Sequence, residues 1–427
     1  MIPKPGTIYT VQQGDTLNDI AARAYGSPAE RTRIIEANGI ADPNKIIVGQ
    51  VLVIPVVPEL AALQRRFSIR DEGFRLKLGG RILPVMAGRV LRTMDTPADG
   101  WSAIIAWEPG QDAQLDALTE PGAFPEASVY LDGNLMVQGR LYNVKSSSGN
   151  EGRILELEGF SKTVDIVDSH LFPPYQYQDL TLVGFCVELF KITGIGIIID
   201  EGLNVDIGGV FKEEKISPTE TISGFLQKLA DRKSAMLSST REGDLLITRA
   251  NTRKPVIGTI EEGVSPVSKW ELDFKGRQLF RTYRGVLQKQ AMPEGKTIIA
   301  VDKTVTFQRI KTFMVTKGDE KDLEAAVRWE RNKTLAEAMT FSLPIDTWYA
   351  PDGRLWTENS SVLVKSSTMR VPNGFTFIIR RVEFIWGENG KTAVLDLTPP
   401  SLYTKQDPVL PWAEKSFEIR YEDLKST

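Results

Sequence analysis

The segment from Tyr9 to Pro55 restricts the fold most, because helix-capping signals sit there between two short apolar strands. Thr16-Leu17-Asn18-Asp19 has the S/T-x-x-D/E form of a helix start, in which a hydroxyl caps an orphan N–H and the acid reaches back. Leu17, Ile20, Ala21 and Ala24 then share one helical face at i, i+3, i+4, i+7 spacing, and Gly26 ends the helix. Ser27-Pro28-Ala29-Glu30 starts a second helix, with Pro28 at the first helical position, where its missing N–H costs nothing. Strands at Tyr9–Val11 and Val51–Ile54 flank the pair. The order strand–helix–helix–strand is therefore complete within residues 1–57.

This module resembles a LysM domain. The residues that carry the resemblance are Tyr9-Thr10-Val11, Gly14-Asp15-Thr16-Leu17, Ile20-Ala21, Ile35-Glu36-Ala37-Asn38 and Gly49-Gln50-Val51-Leu52-Val53-Ile54-Pro55. The resemblance implies a shallow groove for N-acetylglucosamine glycans between the loop after the first strand and the loop before the second. On this chain those positions are Gly14, Asp15, Thr16 and Leu17, with Asp42, Asn44 and Ile46 opposite. It equally implies a docking module, the use such folds often have in virion proteins. Gly14 and Thr16 are needed for the turn and the cap under either use.

At 427 residues the chain is long enough for three or four domains. Its net charge of −3 carries no basic bias and argues against a dedicated nucleic-acid binder. The lone Cys186 cannot form an intrachain disulfide. With His170 as the single histidine, almost no ligand set for zinc remains, and no cofactor is expected. The residues after Met1-Ile2-Pro3-Lys4 lack the apolar run of a signal peptide. The most apolar region, Leu180–Ile199, is broken by Glu188, Lys191 and three glycines, short of the ~20 apolar residues that a membrane span needs. It reads instead as a buried helix, Leu182 to Thr193, stopped by Gly194 and followed by a core strand, Ile195 to Ile199. A soluble protein made in the cytoplasm is expected.

Beyond a linker at Val56-Val57-Pro58-Glu59, residues 67–161 are β-rich. Asp132-Gly133 joins Val129-Tyr130-Leu131 to Leu135-Met136-Val137 and suits a type I′ hairpin turn. Residues 162–250 form a mixed α/β segment, with a helix start at Ser217-Pro218-Thr219-Glu220 and an apolar face of Ile222, Phe225, Leu226 and Leu229. A hairpin closes on Arg241-Glu242-Gly243-Asp244. Residues 251–400 are β-rich again, interrupted by a helix over 320–339, and Asn389-Gly390 reads as a second I′ turn. The tail, 401–427, sets Trp412, Phe417 and Tyr421 in a polar context, which suits a partner-binding segment.

From about residue 67 to 403 the chain is similar to the Mu-like baseplate hub family of contractile phage tails. The residues that carry this are Pro351-Asp352-Gly353-Arg354-Leu355-Trp356-Thr357-Glu358-Asn359, Ser361-Val362-Leu363-Val364, Ile379 to Phe384 with Glu388-Asn389-Gly390, and Leu395-Asp396-Leu397-Thr398-Pro399-Pro400. Upstream, Lys162 to Ser169 and Pro218 to Ala230 also fit. The resemblance implies a mainly β chain with α+β parts: the LysM (βααβ), two barrel-like β domains and an intervening α/β domain. It further implies a ring-shaped homotrimer that adapts a six-fold tail tube to a three-fold central spike. DNA would pass the lumen without specific binding. The expected location is the virion tail baseplate, assembled in the host cytoplasm and acting in host cell entry. The added LysM would dock on wedge or other neighbouring tail proteins, with no membrane contact.

The rival expectation is a peptidoglycan-binding or peptidoglycan-cleaving tail protein targeted by its LysM. A nucleophilic hydrolase needs Cys or Ser beside a positioned base, and Cys186 among Phe185, Val187 and Leu189 reads as a small buried hydrophobe. A glycosidase needs two carboxylates across a cleft, for which Glu261-Glu262 and Asp319-Glu320 are arbitrary choices. The tryptophans at 270, 329, 348, 356, 386 and 412 read as core or interface anchors rather than a sugar platform. No catalytic residue is expected.

Overall fold

The computed structural model describes residues 3, 7–25, 27–40, 42–55, 73–149, 152–191, 193–200, 203, 207–250, 255–287, 297–302, 305–315, 320–403 and 409–411. The chain divides into two compact units, one of residues 1–88 and 101–159, the other of residues 89–100 and 160–427.

The first unit begins with the small module. Strand β1 (Thr7–Thr10) pairs antiparallel with β2 (Val51–Ile54), and helices α1 (Leu17–Tyr25) and α2 (Arg31–Asn38) lie between them in sequence. The amphipathic spacing packs Leu17, Ile20, Ala21 and Ala24 against Tyr9, Ile34, Leu52 and Ile54, all buried. Beyond it come β3 (Phe74–Leu78), β4 (Arg81–Leu83), β5 (Ala87–Thr93), which passes into the second unit at Arg89, and then, back in the first, β6 (Gly100–Ala106), α3 (Ala113–Leu118), β7 (Glu126–Leu131), β8 (Asn134–Gly149) and β9 (Gly152–Ser161). Its sheet runs β6-β9-β8-β7-β3-β4. The expected I′ turn is present: Asp132 and Gly133 both have positive φ, and Leu131 pairs with Asn134.

In the second unit α4 (Val164–Asp168), β10 (Gln176–Leu180), α5 (Leu182–Leu189), β11 (Ile197–Ile199), β12 (Phe211–Lys215), α6 (Ile222–Arg232), β13 (Met236–Ser239) and β14 (Leu245–Thr248) form the mixed segment. Three expectations shift here. Helix α5 stops at Leu189 rather than Thr193, because the Phe190 carbonyl accepts from the Thr193 and Gly194 amides and closes a turn. The following strand is only β11, half-buried to exposed, because it is the outer member of the sheet β11-β14-β13. Helix α6 is capped by Thr221, whose Oγ1 accepts from the Gly224 amide at 3.1 Å, and not by Ser217. The Leu171 amide bonds to the Glu220 carbonyl and the Ile222 amide to the Ser169 carbonyl. Ser217 instead closes a turn, its carbonyl accepting from the Glu220 amide at 3.0 Å, and the helix begins only after Thr221.

The rest of the unit comprises β15 (Val256–Glu261), β16 (Glu271–Phe274), β17 (Thr282–Leu287), β18 (Thr297–Val301), β19 (Ile310–Val315), α7 (Glu320–Ala338), β20 (Met339–Ile345), β21 (Ser361–Ser366), β22 (Val371–Gly387) and β23 (Gly390–Thr398). Neighbours run β16-β20-β23-β22, with β21 between β22 and β15. A separate sheet, β18-β17-β19, carries α7 on one face, where Leu323 and Val327 meet Tyr283, Leu287 and Ala300. At the β22–β23 hairpin Gly390 alone is left-handed while Asn389 is not. The turn is therefore of the type I plus glycine-bulge kind instead of I′. Trp348 and Trp356 are fully buried and Trp329 nearly so, the core placement read from sequence. The fold is mainly β with α+β parts, as expected.

Candidate docking surface of the amino-terminal module

The two loops assigned to a groove are built by local hydrogen bonding. Gly14 has φ +90°, a left-handed turn that places Asp15 and Thr16 ahead of α1. Thr16 Oγ1 accepts from the Asp19 amide at 3.2 Å and donates to Asp19 Oδ2 at 2.6 Å. The acid thus reaches back to the capping hydroxyl rather than to the backbone.

Asp15 is committed inward. Its Oδ2 accepts from the Tyr9 hydroxyl at 2.7 Å and the Gln12 amide at 2.8 Å, and Oδ1 pairs with Arg23, which also lies over the Tyr9 ring. Burial pushes the carboxyl pKa up, but these hydrogen bonds and the Arg23 charge outweigh it and hold Asp15 below the usual range. Leu17 is 3% exposed and belongs to the core. On the opposite loop Asp42 Oδ1 accepts from the Asn44 amide at 3.0 Å, and Ile46 packs on the core. Gly14, Thr16 and Asn44 face solvent. The base of the loops is tied by the Val11 amide to the Gln50 carbonyl and the Gly49 amide to the Val11 carbonyl, each 2.9 Å.

A different feature stands out beside them. Ile47, Val48, Val51 and Val53 are 70%, 65%, 59% and 49% exposed. Leu52 and Ile54 point inward on β2 while Val51 and Val53 point out, so four apolar side chains within seven residues face solvent. The sequence held a signal for this. Four consecutive apolar residues in a strand with one buried face must leave two outside. The adjoining strand edge is closed: Asn38 Nδ2 donates to the Val53 carbonyl and its Oδ1 accepts from the Val53 amide, both at 2.7 Å.

The residues weighed for catalysis occupy structural positions. Cys186 lies within the apolar core of the mixed segment, and burial pushes its thiol up to about 12, far from a thiolate nucleophile. His170 is exposed and bridges to Thr221. Glu262 accepts from Ser366 Oγ, Thr368 Oγ1 and the Thr368 amide, which lower its pKa to about 2 and make it a loop tie. Asp319, Trp412, Phe417 and Tyr421 lie outside the described residues.

Residues 9–55 match the LysM domain family. The chain is 21% identical over 321 residues to the baseplate hub protein gp44 of Escherichia phage Mu, covering 73% of this chain and 83% of that protein. A 45% match over 75 residues to an esterase of Mycobacterium tuberculosis is confined to the LysM region and covers 14% of the esterase. The fold is similar to that of the 43 kDa tail protein of prophage MuSo2 from Shewanella oneidensis, with 22% identity and a TM-score of 0.68 over 78% of this chain and all of that one. The tail protein of Neisseria meningitidis MC58 superposes with a TM-score of 0.66 at 16% identity, over 78% of this chain and 97% of its own. The chain therefore carries an N-terminal LysM domain joined to a homologue of the Mu baseplate hub.

Proposed function

We infer from a LysM domain joined to a relative of the Mu baseplate hub that this chain is a structural, non-enzymatic hub of a contractile phage tail or tail-like particle. The single observation that carries the reading is the relationship to the hub along most of both chains. In this role three copies close into a ring that adapts a six-fold tail tube to a three-fold spike. DNA passes through its lumen, and the particle is assembled in the host cytoplasm.

The LysM domain serves as the docking arm for neighbouring tail proteins. Its exposed apolar side chains Ile47, Val48, Val51 and Val53 support protein contact, since exposed apolar patches mark interaction sites. The bond of Asp15 to the Tyr9 hydroxyl and the core position of Leu17 support docking over glycan binding as the use of this loop.

Light scattering on the purified chain over a range of concentrations tests the ring, with a mass three times the 47.5 kDa chain expected. A concentration-independent monomer, unchanged by an added spike protein, overturns it. Val51→Asp with Val53→Asp tests the docking arm. Loss of the protein from assembled baseplates supports docking, whereas full incorporation together with sedimentation on peptidoglycan favours the wall-binding alternative.

A further inference from the structure

We propose that the face of the sheet β18-β17-β19 turned away from α7 seats an amphipathic helix of another protein, about three turns long, whose carboxylate meets Arg284. The two faces of this sheet are unlike. Tyr283, Leu287, Ile298, Ala300 and Val315 turn toward α7 and are buried. The alternate residues turn the other way, and among the described residues none of them is buried. There Val286, Ile299 and Val301 are half-buried, while Ile310 and Met314 are 63% and 59% exposed. The register sets Arg284 in the middle of this apolar face, between Ile299 of β18 and Thr312 of β19.

The covered face shows what the other one lacks. Leu323 and Val327 of α7 pack on the sheet, and Glu330 of the same helix pairs with Lys311 of β19 at 2.6 Å. Apolar contacts at i and i+4 with an acid at i+7 thus cover a sheet face that carries one cation. Arg284 is the corresponding cation on the opposite face. It is exposed, and among the described residues it has no hydrogen-bond or ion-pair partner. Its complement is an acid set on the apolar stripe of a helix, as Glu330 is.

Size selects a single helix over a larger partner. Three strands about 4.8 Å apart, with about 3.3 Å per residue along the five residues of β18, give a footprint of roughly 14 by 16 Å, about 230 Å². A complex that stands alone takes about 800 Å² from each partner, so this face serves one element of a partner. Its length of ~16 Å matches about eleven helical residues. A second copy of the chain is a poor occupant on two counts. Two-fold pairing of the face with itself sets Arg284 against the same charge of the copy. The apolar faces of α1, α5, α6 and α7 are already taken up in this chain's own cores.

A photo-crosslinking amino acid in place of Thr312, beside Arg284 in the register, tests this in cells that make the full chain together with its native neighbours. Mass spectrometry then reads the sequence of the cross-linked peptide. The expected adduct is with a different protein, within an amphipathic helix that carries Asp or Glu on its apolar side. Arg284→Glu should cut the adduct at least tenfold, and exchange of the partner's acid for Lys should restore it. Arg284→Gln, which only removes the charge, should reduce it as well. The melting temperature should not change in either variant, because Arg284 is exposed. No adduct, an adduct to a second copy or to a segment without such a helix, or one that Arg284→Glu leaves intact overturns the proposal. The readout is independent of the ring: a chain that is monomeric by light scattering and still gives the adduct fails the hub reading alone.

Discussion

Arg92 shows how much of this fold is decided by single buried residues. Its guanidinium pairs with Asp99 at 3.0 Å and Glu358 at 2.6 Å and donates to the Ser239 carbonyl, tying three distant segments of the second unit. Burial pushes the Asp99 carboxyl up to about 7 despite Arg92, aided by the Glu358 charge. Burial also raises Glu358, but the Arg92 charge and hydrogen bond prevail and hold it below its ordinary value. A carboxyl raised on folding costs stability as pH climbs from its unfolded value, near 4, to its folded value, near 7. Asp99→Asn keeps an acceptor for the Thr93 amide and should flatten that part of the thermal-stability profile. Glu358→Gln removes the neighbouring anion and should move the same transition to lower pH. Identical pH profiles for wild type and both variants would sink this account. Glu358-Asn359 was conspicuous in the sequence as part of the hub-like run, yet its reason was not legible, because its partner lies 266 positions away. Asn359, at φ +59°, likewise bonds to Thr248 Oγ1 and the Arg249 carbonyl. At Gly159 any Cβ would overlap the Arg140 carbonyl and the Trp101 indole. Gly159→Ala should therefore cost about 1–3 kcal/mol in denaturant unfolding.

Secondary-structure elements were most legible where local chemistry settles them. The first LysM helix, the Asp132-Gly133 hairpin and α7 follow from caps, positive-φ residues and spacing that act within a few positions, whereas the Ser27 cap opens a single 3-10 turn, Pro28–Glu30, before α2 starts at Arg31. The misplaced ends have causes beyond the capping pattern: the Ser217 turn delays α6 to Thr221, and the Phe190 turn shortens α5. In the groove, Asp15 looked ligand-ready from its loop position, and only the fold brings Tyr9 and Arg23 onto it. Thr16→Ala should cost about 1 kcal/mol of LysM stability through the lost cap. It should leave docking intact, which differential scanning calorimetry and incorporation into particles can separate. Asn38→Ala should both destabilise the module and open the β2 edge. Concentration-dependent association beyond the wild-type oligomer is the expected result by analytical ultracentrifugation.

On the scale of the whole chain, the mainly β fold with a βααβ module in front was readable from strand alternation and turn residues, because each repeats many times. The path of the chain was not. It crosses between the two units three times, and each crossing follows a glycine: Gly88, Gly100 and Gly159. Nothing in the composition around residues 89–100 marks that stretch as belonging with residues beyond 160. Cleavage at any one crossing still leaves the units joined by the other two, so no truncation frees either intact. A chain that leaves one unit, returns to it and leaves again cannot be drawn as two beads on a string.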